Sequence, residues 1–338
     1  MRGRVTLIVM GWWALAGALA APARAQDAAD SLRGIELRMQ RLVQELTMAC
    51  PLADPGDQTA FDRCRRYLFG DSLLRRTVST ILLWGRPSPR GDGLKDTTLT
   101  QLAPDVWTGM YAPMFMFDGS SRVTYDENER LFRTEVGVMY RNALDPGQYP
   151  YPFWHSAQKW ADYQKANTVI FWVTPQSNSI VAGQFMDDGR VHPGRNSPPV
   201  VRPPFDGQWM WTDARGVPQP QAALFQGLFS DNNPHLGQLE KSYRVLAEAM
   251  RRGHCNDCHV PDNPHHSKRL VLLQTPAHAA GEIKRLMKAV RDDDMPVDET
   301  EIYREIDGDT KQALLLLGRE FEEAVDAARK WERRHKVR

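Results

Sequence analysis

Cysteine, an excess of one charge and long apolar runs are all scarce in this chain of 338 residues. Four cysteines are too few for a disulfide-dense scaffold. The 43 basic residues nearly cancel the 42 acidic ones, so no large field of one sign is available to recruit nucleic acid or an anionic membrane. Beyond residue 25 no run approaches the roughly 18 apolar residues that a membrane span needs. The remaining composition, 42% hydrophobic and 25% charged, is that of a globular protein.

The first residues carry the pattern of a secretory signal peptide. Arg2 and Arg4 precede an apolar run over 5–21, and Ala23-Arg24-Ala25 forms a small-x-small cleavage site. We therefore expect residues 1–25 to be removed during export to the periplasm. An uncleaved membrane anchor is the alternative, although the run is short for a bilayer.

The segment 26–186 reads as one α+β domain, with helices first and an antiparallel sheet afterwards. Apolar residues at helical spacing predict a helix from about 30 to 50, and cap and stop residues predict further helices over 57–67 and 71–84. From 109 to 185, strand-like runs alternate with turn residues, which favours hairpins.

Prolines and glycines crowd the next segment, 187–235, which includes Ser197-Pro198-Pro199. This composition disfavours regular structure and predicts a linker or a lid. A second domain over 236–338 is expected to follow.

The four cysteines fall into two pairs. Cys50 and Cys64 flank a Pro- and Gly-containing turn, and in an oxidising compartment we expect them to form a disulfide between the first two helices. Two separate buried thiols are the alternative. The pattern makes neither cysteine catalytic.

The second pair lies in a Cys-x-x-Cys-His motif formed by Cys255, Cys258 and His259. Two thiols on one helical turn can each add to a vinyl group of haem, and the adjacent imidazole then points at the iron. The motif therefore predicts one covalently bound haem c.

Two other interpretations of the motif were weighed. A thioredoxin-like redox pair wants a βαβ setting, whereas a helical apolar stripe runs into this motif from Leu236. A zinc site needs further ligands, for which His265, His266 and His278 are the nearest candidates.

From about 236 to the end, the chain resembles a class I cytochrome c. The similarity rests on a helix leading into the Cys-x-x-Cys-His motif, on Met295-Pro296, and on a last helix from Asp309 to about Trp331. The resemblance implies an all-α cytochrome c domain with His259 and Met295 as the axial iron ligands. It also implies single-electron transfer with redox partner proteins.

Rival sixth ligands exist within the same segment. Met287 falls on a helical apolar stripe, where methionine more often fills a core. His265, His266 and His278 would each give a bis-histidine haem, and His254 would do so only with difficulty because it directly precedes the motif.

The sequence favours an electron carrier or electron-transfer subunit over an enzyme, and it assigns no catalytic residue. The alternatives are a haem-dependent periplasmic oxidoreductase or a small-ligand sensor, with the N-terminal domain as the catalytic or sensing module. His155, in an aromatic stretch, is the one upstream residue that stands out as a second metal ligand or pocket residue, although a structural role is the simpler reading.

Overall fold

The computed structural model describes most of the chain, and the described residues are 20–87, 91–94, 97–144, 157–189, 209–212, 218–220, 225, 228–255, 259, 276–297 and 304–335. Side chains are not described for part of these, namely 20–31, 97–99, 157–160, 209–212 and 218–220.

Three helices open the described structure: α1 (Ala20–Ala49), α2 (Gln58–Phe69) and α3 (Leu73–Thr77). The carboxylate of Asp57 caps α2 by accepting a hydrogen bond from the amide of Ala60 at 2.9 Å. The predicted third helix over 71–84 is wrong beyond Thr77, because the chain becomes a strand there. The run that starts at Val78 is rich in β-branched residues and its burial alternates, as expected for a strand with one face in the core.

Six strands form the main sheet in the order β2-β1-β6-β5-β4-β3. Their bounds are β1 (Val78–Pro87), β2 (Thr97–Leu102), β3 (Phe115–Asp126), β4 (Leu131–Tyr140), β5 (Thr168–Val173) and β6 (Ile180–Met186). The predicted antiparallel sheet is wrong: β1 runs parallel to β6, so the sheet is mixed. Two parallel neighbours need a long crossover connection. Here the connection is the whole stretch of chain from β1 to β6, which contains β2 to β5.

Between β2 and β3 the chain forms a short helical segment, α4 (Pro104–Val106), which continues through a π-helical turn (Trp107–Tyr111) and a 3-10 turn (Ala112–Met114). Every residue from 106 to 114 is buried. Helix α1 lies against β3 and β4. The core therefore sits between the sheet, these helices and the buried turns.

The later part of the described chain contains α5 (Ala157–Gln164), a two-stranded sheet of β7 (Trp209–Thr212) and β8 (Pro218–Pro220), and helices α6 (Leu236–Arg252), α7 (Pro276–Arg291) and α8 (Gly308–His335). Helix α8 packs on α6, where the rings of Tyr243 and Phe321 lie 5.6 Å apart. It also packs on α7, where Met287 lies over Gly318.

The predicted fold class, an α+β domain followed by an all-α cytochrome c domain, is also wrong. Helix α7 packs on α4, so closely that a Cβ atom on Gly281 would lie 2.8 Å from Val106 and 2.9 Å from Ala103. One continuous hydrophobic core includes residues from α1, the sheet and α6 to α8. The C-terminal helices thus share their packing with the sheet region, because their small residues allow close approach.

Within the described residues, no helix combines the length and the apolar character that crossing a membrane requires.

Candidate functional site

Three of the residues predicted from sequence line one cavity of about 350 Å³. These are Cys255, His259 and Met295, which lie up to 40 positions apart in the chain. The other lining residues come mainly from α7, with one from β2; they are Gln101, Arg285, Leu286, Lys288, Ala289, Val290 and Asp294.

Cys255 and His259 both follow helix α6 in the chain and line the cavity from there. Helix α6 ends at Gly253, whose amide donates to the carbonyl of Ala249 at 2.9 Å. His254 then adopts a left-handed backbone with φ of 60°, which redirects the chain. The amide of His259 donates to the carbonyl of Cys255 at 3.0 Å, which holds these two residues close together.

Met295 reaches the same cavity from the segment that follows α7. The amide of Asp294 donates to the carbonyl of Ala289 at 2.9 Å, which folds this segment back along the end of the helix. The amide of Arg304 donates to the carbonyl of Pro296 at 2.9 Å and holds the other side of the segment. Met295 itself is half-buried.

The wall supplied by α7 is apolar on one side and charged on the other. Leu286, Ala289 and Val290 give the apolar part. At the rim, the Lys288 ammonium lies 2.5 Å from the Asp292 carboxylate. That contact lowers the pKa of the Asp292 carboxyl and raises the pKa of Lys288.

Arg285 connects the cavity to the sheet region. Its guanidinium donates to the side-chain oxygen of Gln101 on β2 at 3.4 Å and to the Glu282 carboxylate at 3.3 Å. Burial raises the pKa of Glu282, an effect that the neighbouring charge of Arg285 opposes. Gln101 is 184 positions from Arg285, so no local pattern in the sequence indicates its place in this wall.

Two of the rival iron ligands lie elsewhere in the packing. Met287 is buried against α8, with its sulfur 2.1 Å from where a Cβ atom on Gly318 would stand. His278 is 1% exposed, and its Nε2 atom lies 3.3 Å from the hydroxyl of Tyr111. Burial lowers the pKa of His278 to about 3.

Four of the residues singled out from sequence lie outside the described residues: Cys258, His155, His265 and His266. Among the described residues, no group of three or more His, Cys, Asp or Glu side chains is arranged to hold a metal ion.

Cys50 and Cys64 are joined in the structure, with their sulfur atoms 2.10 Å apart. Both are fully buried, and the bond ties the end of α1 to the middle of α2.

Comparison with known proteins gives no match, since no family model, no curated protein and no solved structure is similar to this chain.

Proposed function

We propose that this chain is an exported c-type cytochrome that transfers single electrons through one haem c bound to Cys255 and Cys258. His259 and Met295 would be the axial ligands of the iron. The observation that carries the proposal is the meeting of Cys255, His259 and Met295 on one cavity.

The cavity suits such a group in its lining. Apolar walls with a few convergent polar groups are the usual lining of a cofactor site, and α7 supplies the apolar wall. A thiol, an imidazole and a thioether are together the donor set of a haem c centre.

When bound, haem c supplies a one-electron change at its iron. The residues of this chain set the conditions for that change. The Met295 thioether would offer the iron a soft, neutral ligand, which would favour the ferrous state relative to a second histidine. Leu286, Ala289 and Val290 exclude water from one side, while Arg285 and Lys288 hold positive charge at the rim.

Export to the periplasm is part of the same proposal. The signal-peptide pattern over 1–25 supports it, as does the Cys50–Cys64 bond, since disulfides persist in oxidising compartments. Redox partner proteins would dock on local patches, because a net charge of +1 gives no long-range steering. The proposal uses only the ligand motif that this chain shares with class I cytochromes c, and it does not include their all-α domain.

The test is to produce the mature chain in a host that attaches haem c in the periplasm. We expect the mass of the intact protein to rise by one haem and the haem to stay attached on a denaturing gel. Replacing Cys255 and Cys258 with serine should abolish this attachment. Met295→Ala should keep the haem attached but remove the methionine-to-iron charge-transfer band in the near infrared.

Met287→Leu is the matched control for Met295→Ala, because Met287 packs between helices and should leave the band intact. A wild-type protein without covalent haem would refute the proposal. A wild-type haem that binds carbon monoxide readily would refute the sealed electron-carrier part, since the iron would then have an open position suited to an enzyme or a sensor.

A further inference from the structure

Arg141, directly after β4, is a buried cation in the sheet region. The residue is 0% exposed and ranks among the largest fully buried side chains of the described structure. Its backbone amide donates to the carbonyl of Met114 at 2.8 Å, and its Nε atom donates to the carbonyl of Pro113 at 3.3 Å. These bonds fix the base of the guanidinium.

The outer end of the guanidinium is not satisfied in the same way. Nη1 and Nη2 are both buried, and neither has a hydrogen-bond partner. Leaving such buried donors unpaired is unfavourable, and more so for a charged group than for a neutral one. A buried charge is normally paired, so this end of Arg141 calls for an acceptor.

A second unsatisfied group lies in α2, which packs on the same turn that Arg141 contacts. Gln58 is the first residue of α2, and both atoms of its side-chain amide are buried without a partner. Helix α2 packs on the turn that contains Pro113, where the Cys64 sulfur lies 4.0 Å from the same carbonyl that Arg141 contacts. The turn before α2 also meets the residues after Arg141, since a Cβ atom on Gly56 would lie 2.8 Å from the carbonyl of Ala143.

The positive charge of Arg141 is not paired with a carboxylate in the described part of the chain. None of the ion pairs between described residues includes Arg141. The carboxylate whose field reaches Arg141 is that of Asp57, and it accepts a hydrogen bond from the backbone amide of Ala60 at 2.9 Å. The positive end of the α2 dipole adds to the field of the guanidinium.

Arg141 remains charged in this environment. Burial lowers its pKa to about 10, an effect that Asp57 opposes and the neighbouring Arg63 reinforces. A guanidinium with a pKa of about 10 is cationic throughout the physiological range.

We propose that Arg141 and Gln58 form a buried binding site for a small monovalent anion at the N-terminal end of α2. The two Nη atoms of Arg141 and the amide nitrogen of Gln58 would donate to the anion, which would balance the buried cation. A single positive charge beside Asp57 favours a monovalent anion over a phosphate. This site is independent of the haem proposal.

Bromide is the probe, because it is small, monovalent and visible by anomalous X-ray scattering. Thermal unfolding of the mature protein is followed while bromide replaces gluconate, a large anion, at constant ionic strength. A ligand that binds only the folded state stabilises it in proportion to occupancy. We expect each tenfold rise in bromide above the dissociation constant to raise the folding equilibrium constant about tenfold.

Arg141→Met should abolish this dependence, whereas Arg63→Met should keep it, because Arg63 is exposed and acts only through its field. Gln58→Met should weaken it and serves as the second variant in case Arg141→Met fails to fold. In wild-type crystals grown in bromide, we expect an anomalous peak within hydrogen-bond distance of Nη1 or Nη2.

Three outcomes would overturn the proposal. One is a wild-type stability that does not change with bromide. The second is an equal loss of the bromide effect in Arg141→Met and Arg63→Met, which would indicate general screening. The third is a crystal in which water or the Gln58 oxygen alone contacts the guanidinium.

Discussion

The core of the sheet region and the cavity beside α7 differ in how their space is occupied. In the sheet region, aromatic rings occupy the space, with Trp84 and Trp107 at 5.2 Å and Tyr163 and Phe185 stacked at 3.7 Å. Between the C-terminal helices, small and aliphatic residues leave the cavity that Cys255, His259 and Met295 line. Aromatic rings fill the space in the sheet region, whereas a cavity remains next to the residues with ligand chemistry.

The kinds of polar group also differ between these two places. In the sheet core the indole of Trp84 donates to the hydroxyl of Tyr163 at 2.7 Å, so a polar atom is satisfied internally. At the cavity the polar groups are thiol, imidazole and thioether, which are suited to bind something else. Stability therefore depends chiefly on the first region, and function is expected to depend on the second.

The largest effect on stability should come from the ring-filled core. Trp107→Ala should lower the free energy of unfolding by about 3–5 kcal/mol, because a side chain that is 1% exposed leaves a large cavity. Urea unfolding of the purified protein measures it. Trp107→Phe is the control; the indole nitrogen has no hydrogen-bond partner, so this change should cost less than half as much. If Trp107→Ala and Trp107→Phe lowered the free energy of unfolding equally, the volume of the side chain would not be what stabilises this core.

Removing the Cys50–Cys64 bond should have the next largest effect. The bond closes a loop of 14 positions, and the chain-entropy relation gives about 3 kcal/mol for a loop of that length. Urea midpoints of the Cys50→Ala/Cys64→Ala protein and of wild type with reductant measure the loss. Reductant should leave the double variant unchanged; a further loss there would mean that other groups respond.

A smaller effect should mark the junction of the two regions. Gly281→Ala places a methyl group 2.8 Å from Val106, and such overpacking should cost about 1–3 kcal/mol. Gly237→Ala in α6 is the control, because nothing lies within 4 Å of the added atom. It should be neutral or stabilise by up to about 1 kcal/mol. Thermal unfolding measures the stability of both variants. If the sheet region and the C-terminal helices were independent, the two variants would not differ in stability.

The smallest effect concerns pH at the same junction. His278 takes up a proton near its ordinary pKa of 6.5 when unfolded but only near 3 when folded. Between these values the unfolded chain holds more protons, so stability falls as pH falls. From pH 6.5 to 5.5 the loss should be about 1 kcal/mol. Urea titrations at several pH values measure the stability of wild type and of His278→Gln, and the difference between the two isolates the contribution of His278. If the two plots of stability against pH were parallel, His278 would not stay neutral in the folded protein.

Local patterns predicted much of the secondary structure. The strand-like runs predicted from 109 to 185 cover β3 to β5 and all of β6 but its last residue, and the last helix, predicted from 309 to about 331, is Gly308–His335 in the structure. Helix α8 carries the period of three and four residues in its buried positions. The prediction of β1 as a helix was wrong because its apolar residues fit either period, and the parallel pairing with β6 that decides the matter joins residues about 100 positions apart.

The candidate site divides in the same manner. The spacing of Cys255 and His259, and the family pattern at Met295, placed three residues that the structure brings to one cavity. Gln101 and Arg285 were missed, because they meet only after the sheet and α7 have packed together. The packing of α7 on α4 and the shared core likewise made the predicted fold class, an α+β domain followed by an all-α domain, wrong.

The contact between Gln101 and Arg285 also has a consequence for aggregation. Strand β2 is an edge of the six-stranded sheet, and an open edge offers unpaired backbone groups to strands of other chains. Helix α7, reaching the end of β2 through Arg285, hinders such pairing at that end. The helices that line the cavity therefore also protect one sheet edge, and a chain cut before α7 would lose this protection.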